Sequence, residues 1–197
     1  MQTYTDSTNS DAADLKQLEQ DIREAIAQGK DIKETVHKLT LKAMQANRLD
    51  LNSLGRIATA VMQGIHEGTR QKLEYASEQS HVAKDQISHA VAGLDTALAQ
   101  FVGASRLALE EAAGKAKQFS HDELSKTRAD LESLESLFLE ILQRTASTAK
   151  GVIADTLNDL LTHAKRNGTT IGEHLKDTLA TFTHHLSSVS HTQFEAG

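Results

Sequence analysis

Apolar residues recur every three or four positions along most of the chain, a spacing that places them on one face of an α-helix. The longest such pattern covers residues about 50–119. Proline, which usually breaks a helix, is absent from all 197 residues. A continuous helix over 50–119 would be about 100 Å long at a rise of about 1.5 Å per residue. The pattern therefore predicts an all-α protein built on one very long helix.

A second long helical pattern covers residues about 121–166. Ser120 and Glu123, at its start, have the spacing of a capping box, in which both side chains bond free backbone N–H groups. Gly168 follows the pattern, and glycine favours the backbone conformation of a helix end. We expect this helix to fold against helix 50–119, so the predicted fold is an elongated antiparallel helical bundle.

The shorter helical patterns at the two ends of the chain have clear boundaries. Gly29 separates two N-terminal patterns, and Asp31 and Asp50 each have a side chain that favours a helix start. Thr170 and Glu173 form a second capping box before the last pattern. The sequence therefore predicts a disordered tail over 1–10, a helical hairpin over 11–47, a long antiparallel hairpin over 50–166 and a C-terminal helix over 170–194, all in one continuous domain.

Two features of the long helices stay open at this point. Each glycine inside a helix costs roughly 1 kcal/mol relative to alanine, so Gly64 and Gly68 leave open whether helix 50–119 is continuous or bent. Large apolar residues are also sparse over 67–81. Helix 121–166 packs either on helix 50–119 of its own chain or on that of a neighbouring chain.

Residues 87–119 differ from the rest because apolar side chains cover most of the helix circumference. Such a helix needs neighbours on several sides, and helix 121–166 is too short to supply them all. We therefore predict a homo-oligomer, first of all a dimer. Its proposed self-association seam consists of Leu94, Leu98, Phe101, Val102 and Leu109.

Substitutions in this seam are expected to break the oligomer. Leu98→Asp and Val102→Asp would each bury a carboxylate without a partner, which is strongly unfavourable. Asp95 occupies a more polar position of the same helix. We expect Asp95→Ala to have little effect.

The charge distribution excludes several classes of partner. The formal net charge is −6, and lysine and arginine are scattered among the acidic residues. Nucleic-acid binding requires clustered basic charge, so no nucleic-acid partner is expected. No apolar window reaches the roughly 20 residues of a membrane span, and the polar N-terminus does not resemble a secretory signal. We expect a soluble, cytoplasmic protein with no transmembrane segment.

Two Glu-x-x-His spacings are the main candidates for metal binding: Glu34 with His37, and Glu78 with His81. Two such motifs on different helices hold the metal pair of di-iron bundle proteins, where they project into the core. Here both motifs lie off the apolar stripes of their helices. A bundle metalloprotein is therefore the least favoured hypothesis, and no metal site or cofactor is expected.

Histidine is frequent, with ten residues, and one group of them is spaced for a common helix face. His81, Asp85 and His89 follow each other at intervals of four, so their side chains lie in one row. Without a ligand from a second helix, such a row binds metal weakly. The sequence leaves open whether the histidines have any role.

Catalytic motifs are missing from the sequence. It contains no cysteine, no glycine-rich phosphate loop and no serine in a nucleophile elbow. We therefore expect no catalytic residues and no enzyme activity. The leading hypothesis is a non-enzymatic, self-associating helical scaffold or protein-interaction protein.

The apolar positions also repeat every eleven residues, at Leu54, Ile65, Ala76, Ile87, Leu98 and Leu109. In this periodicity, in its many alanines and in its lack of proline, the chain is similar to phasins and other long amphipathic-helix coats. The resemblance implies peripheral binding to a lipid or granule surface. Interfacial helices usually carry tryptophan and a basic face, whereas this chain has no tryptophan and is acidic. Surface coating is therefore the second hypothesis.

Overall fold

The structure, a computed structural model, describes residues 3–46, 50–76, 78, 80–114 and 121–195. The fold is all-α, as the sequence predicts, and no strand occurs in these ranges. The helices pack side by side as a bundle. They are α1 Thr3–Gln28, α2 Ile32–Ala46, α3 Leu51–Tyr75, α4 Ser80–Gly114, α5 His121–Thr148, α6 Gly151–Asn167 and α7 Thr170–Glu195.

The predicted helix over 50–119 is divided into α3 and α4. Helix α3 ends at Tyr75, and the N–H of Ala76 donates to the carbonyl of Lys72 at 3.0 Å before the chain leaves the helical conformation. Tyr75 and His81 on either side of this turn are exposed. A straight helix would gain little packing across such a polar stretch, whereas folding back lets α3 pack on α4.

Contacts with later helices show that α3 and α4 fold back on each other. A Cβ atom added to Gly55 on α3 would stand 3.3 Å from Leu137 on α5. Asp95 on α4 accepts hydrogen bonds from the start of α7, which is also linked to Glu135 on α5. Forty residues of straight helix would span about 60 Å. The contacts above connect position 55 to position 95 through α5 and the start of α7 over a much shorter distance, so α3 and α4 form a hairpin.

The predicted helix over 121–166 is divided in the same way. Helix α5 ends at Thr148 and α6 begins at Gly151, whose φ of 61° lies in the left-handed region that glycine accepts. Thr169, just after α6, donates to Glu135 in the middle of α5, so these helices also form a hairpin. Ser120 and the side chain of Glu123, the predicted capping box, lie outside the described part of the chain.

Helices α1 and α2 form the N-terminal part of the chain, and α1 is longer than expected. Gly29 has a φ of 69° and its N–H donates to Ala25 O at 3.0 Å, which ends α1. Asp50 caps α3 by accepting a hydrogen bond from Ser53 N at 2.7 Å. Residues 3–10, predicted to be a disordered tail, are the start of α1. Once a helix is nucleated, each further residue adds a backbone hydrogen bond, so extension of α1 toward the N-terminus costs little.

Gly64 and Gly68 lie within the continuous part of α3, and the helix is not interrupted at either of them. Their function is packing. A Cβ atom at Gly64 would stand 2.7 Å from the carbonyl oxygen of Glu19 and 2.7 Å from Cβ of Ile22. Gly93 has the same function on α4, since a Cβ there would overlap the carbonyl of Lys33 on α2. The missing side chains let α1 approach α3, and α2 approach α4.

Candidate functional site

The predicted self-association seam lies inside the bundle of a single chain. Helix α4 packs against α2, α3, α6 and α7. Because both predicted long helices are divided, α4 has more neighbours within its own chain than the sequence predicts. Leu94, Leu98, Val102 and Leu109 are buried, and Phe101 is half-buried. The apolar circumference of α4 is therefore covered without a second copy.

Asp95, a residue of α4, accepts hydrogen bonds from the backbone at the start of α7. Its two carboxylate oxygens accept from the N–H groups of Thr170 and Ile171, each at 3.0 Å. Thr169 Oγ1 accepts from Gly172 N at 2.9 Å and donates to Glu135 Oε2 at 3.0 Å. Free N–H groups at a helix start need such acceptors, and a negative charge there is favourable.

This network corrects one expectation from the sequence and adds to another. The residue that caps α7 is Thr169, one position before the predicted capping box at Thr170. Asp95, chosen in the sequence analysis as a more polar position whose replacement should leave the oligomer intact, also links α4 to α7. The sequence could not reveal this link because the bonded residues lie 75 and 76 positions apart.

An open groove lies between α1, α3 and α5; we call it the α1–α3–α5 groove. Its volume is about 880 Å³. Partly buried leucines form its apolar base, and three basic side chains but only one acidic side chain line it. The leucines are Leu15, Leu51 and Leu137, the basic residues are Lys16, Arg56 and Arg144, and the acidic residue is Glu19.

A short exposed surface lies near the C-terminus of α4. Leu107 is 66% exposed, one of the few large apolar side chains with this exposure among the described residues. Ala104 and Ala108, on the same helix, are also exposed, and so is Glu110. We call these four residues the α4 strip. It combines apolar groups with one carboxylate, that of Glu110, which is paired with Arg106.

A second concave site, the α2–α4 pocket, brings together one of the two Glu-x-x-His motifs and two residues of the histidine row on α4. Its volume is about 690 Å³, and Glu34 and His37 from α2 line it together with Asp85 and His89 from α4. Helix α2 thus lies opposite Asp85 and His89, two residues of the row that the sequence placed on one helix alone. In the described part of the chain, however, no group of three or more histidine or carboxylate side chains is placed to hold a metal ion.

Hydrogen bonds and ion pairs occupy some of these side chains. His37 Nε2 lies 2.9 Å from Gln100 Oε1, and Glu34 forms an ion pair with Lys38 at 2.9 Å. The hydrogen bond and the charge of Lys38 lower the pKa of Glu34, so this carboxylate is ionised at neutral pH. Glu78 and His81, the other predicted motif, are exposed and do not line the pocket.

The sequence matches a protein family over residues 8–197, a family of unknown function described as DUF6781. The chain belongs to DUF6781. Comparisons with curated proteins and with solved structures gave no match. The groove, the α4 strip and the pocket all lie within the DUF6781 region. None of the helices in the described ranges is sufficiently long and apolar to cross a membrane.

Proposed function

We propose that this DUF6781 protein is a non-enzymatic, self-associating helical scaffold in which the α4 strip of one copy docks into the α1–α3–α5 groove of a second. The observation that carries the proposal is the complementarity of the two surfaces. The groove is apolar with basic flanks, and the strip is apolar with an acidic flank. The interface of this proposal differs from the buried seam that the sequence suggested.

The dimensions of the groove suit a helix. Along α3 the lining residues extend from Leu51 to Gln63, which corresponds to about 18 Å or three helical turns. Helix-in-groove recognition places apolar residues at positions i, i+3, i+4 and i+7 of one helix face, and Ala104, Leu107 and Ala108 have the first three of these positions. Leu107 serves as the anchor in this arrangement, and the small side chains of Ala104 and Ala108 let the two helices approach closely.

Charge favours the same orientation. Lys16 and Arg56 form no ion pair with any other described residue, whereas Arg144 is paired with Glu140 at 2.5 Å. Glu110 of the α4 strip is bound to Arg106 at 3.1 Å in the isolated chain and is 45% exposed. Charges at the rim of an interface mainly set orientation and association rate. Lys16 and Arg56 thus favour an acidic helix over a basic one.

Two copies can exchange their strips about a twofold axis. Each copy then contributes one groove and one strip, so both contacts are identical and the assembly closes as a dimer. If only one contact formed, the assembly would grow as a chain.

The test is the mass of the protein in light scattering across a range of concentrations. We expect the wild type to change from monomer to dimer, and we expect Leu107→Arg and the double variant Lys16→Glu/Arg56→Glu each to weaken the dimer at least about tenfold. Lys165→Glu/Arg166→Glu, an equal charge change on exposed residues of α6, is the control and should leave the dimer unchanged.

Mixing the two variants makes the test more specific. Leu107→Arg retains a wild-type groove, and Lys16→Glu/Arg56→Glu retains a wild-type strip, so a mixture should form a heterodimer held by one contact. A wild type that stays monomeric at every concentration contradicts the proposal, as does an equal effect of the control variant. Flotation with lipid vesicles and polymer granules tests the phasin-like alternative, and loss of flotation in Leu107→Arg would assign the α4 strip to surface coating.

A further inference from the structure

Apolar side chains form the base of the α1–α3–α5 groove. Ile141 is buried, Leu15 and Leu137 are half-buried, and all three line the groove. Thr59 lines it too, but its hydroxyl already donates to the carbonyl of Gly55 at 2.7 Å. A molecule in the groove therefore meets mainly hydrocarbon at the base, as ligands do in most small-molecule sites.

Gly55 keeps part of this space open. A Cβ atom added to it would stand 3.3 Å from Cδ2 of Leu137, so a larger side chain at this position would meet the leucine. The volume of the groove, about 880 Å³, lies within the range of about 300–1,000 Å³ that small-molecule sites have. The groove is therefore large enough to hold an alkyl chain.

Each of the three helices contributes one basic side chain to the groove: Lys16 from α1, Arg56 from α3 and Arg144 from α5. Arg144 is paired with Glu140, whereas Lys16 and Arg56 form no ion pair with any other described residue. Glu19 is the acidic residue of the lining. Two unpaired cations against one carboxylate favour an anionic ligand, and arginine can bind an anionic head group through two parallel hydrogen bonds.

The local charge of the groove is opposite to that of the whole chain. The formal net charge is −6, so the long-range field of the protein repels anions. In about 0.1 M salt this field is screened beyond about 10 Å, and the charges of the groove decide which ion binds there. An anion at this site is therefore recognised by Lys16 and Arg56 and not by the overall charge.

We propose that the α1–α3–α5 groove binds a free anionic amphiphile, an alkyl chain with an anionic head group, such as a medium-chain fatty acid. The head group accepts hydrogen bonds from Arg56 and Lys16, and the alkyl chain packs on the apolar base. This binding does not require self-association. The ligand would occupy the surface on which the α4 strip docks, and only its effect on the dimer rests on the proposed function.

Calorimetric titration of the full chain with decanoate tests the proposal, at concentrations below those at which it forms micelles. The Leu107→Arg variant is used because it keeps a wild-type groove and cannot fill that groove with a strip from a second copy. Decyltrimethylammonium, with the same chain length and the opposite charge, is the matched ligand. We expect decanoate to bind at least about tenfold more tightly than the cation.

The contribution of the alkyl chain is measured with hexanoate, octanoate and decanoate. Burial of one methylene group contributes enough free energy to tighten binding by up to about fourfold. We expect the affinity to rise with each added pair of carbons. An affinity that does not depend on chain length would show that the head group binds as an ordinary anion, and it would overturn the proposal.

The contribution of the head group is measured with two double variants of equal charge change. Lys16→Gln/Arg56→Gln should weaken decanoate binding at least about tenfold. Lys165→Gln/Arg166→Gln, on α6, should leave it unchanged. All four positions are exposed, so the fold should tolerate the substitutions. Equal effects of the two double variants, or equal binding of decanoate and the cation, would contradict recognition by the groove.

The results separate this inference from the proposed function. A dimer that forms while the groove binds no decanoate overturns the inference alone, and so does flotation with anionic lipid vesicles without binding of free decanoate. Decanoate binding to Leu107→Arg supports the inference even if the wild type stays monomeric. In light scattering, saturating decanoate should dissociate the wild-type dimer, and a dimer that persists would contradict docking of the α4 strip in the groove.

Discussion

At the scale of single residues, the most consequential contacts join positions that are distant in sequence. Asp95 binds the first turn of α7, and Gln86 contributes to the lining of a pocket whose other wall is α2. Both residues look unremarkable in the sequence, as polar positions on a largely apolar helix. Their environment, and therefore their function, comes from helices that fold against α4.

Replacement of Asp95 tests the link between α4 and α7. Asp95→Ala removes two hydrogen bonds to backbone N–H groups and the negative charge at the helix start, so it should lower the free energy of unfolding by about 1–2 kcal/mol. Urea denaturation followed by circular dichroism measures this. Asp159→Ala, on an exposed position of α6, should change the free energy by no more than about 0.5 kcal/mol. Similar values for the two variants would show that the link does not stabilise the fold.

At the scale of helices, pairs of elements are held close by glycines whose absent side chains make room for a neighbour. Helix α1 packs on α3 at Gly64 and Gly68, and α2 packs on α4 at Gly93. The α1–α2 hairpin thus packs on the α3–α4 hairpin, with α1 on α3 and α2 on α4. The glycine spacing in the sequence indicates either a bend or a close contact, and only the position of the neighbouring helix decides between them.

Two glycine-to-alanine substitutions should have effects of opposite sign. Alanine favours a helix over glycine by roughly 1 kcal/mol. At Gly64 the added methyl group would clash with the backbone of α1, which should outweigh that gain and lower stability by about 1–3 kcal/mol. At Gly103 the methyl group would meet only His174 Nδ1 at 3.6 Å, an ordinary contact, so Gly103→Ala should raise stability by up to about 1 kcal/mol. Thermal unfolding compares the two, and a Gly64→Ala variant more stable than wild type would contradict the close α1–α3 packing.

At the scale of the whole molecule, the hairpins convert a rod into a bundle. Because α3 and α4 fold back, α4 is surrounded by α2, α3, α6 and α7 of the same chain. The apolar residues that predicted an oligomer are buried within a single chain, and the dimer proposed above uses the groove and the α4 strip instead.

The distance between two spin labels tests the hairpin directly. The chain contains no cysteine, so Ser53→Cys on α3 and Ser105→Cys on α4 would be the only labelled sites. A continuous helix would place these positions about 78 Å apart, whereas the hairpin should give less than half that distance. Electron paramagnetic resonance measures it, with excess unlabelled protein present to suppress distances between chains. A dominant distance near 78 Å would contradict the hairpin.

Most helix boundaries with a strong local signal could be predicted from the sequence. Gly29 and Asp50 form the helix end and the cap that their residue types favour, and the helical periodicity identifies the all-α class. The breaks after Tyr75 and Thr148 have no comparable signal, since no proline occurs there and Gly151 is an isolated glycine. Both breaks depend on the packing gained when the two halves of each helix fold together, and that gain is not encoded within either local segment.

The candidate sites, like the two helix breaks, depend on contacts between residues that are distant in the sequence. The all-α class follows from the sequence alone, because backbone hydrogen bonds and the spacing of apolar side chains are local properties. Which helix faces meet depends on how the whole chain packs, and this packing buries Leu98, brings Asp95 to α7 and places Gln86 at a pocket. The physical reason is that burial and charge environment depend on neighbours brought together across tens of residues, and a periodic apolar stripe fits many such neighbours equally well.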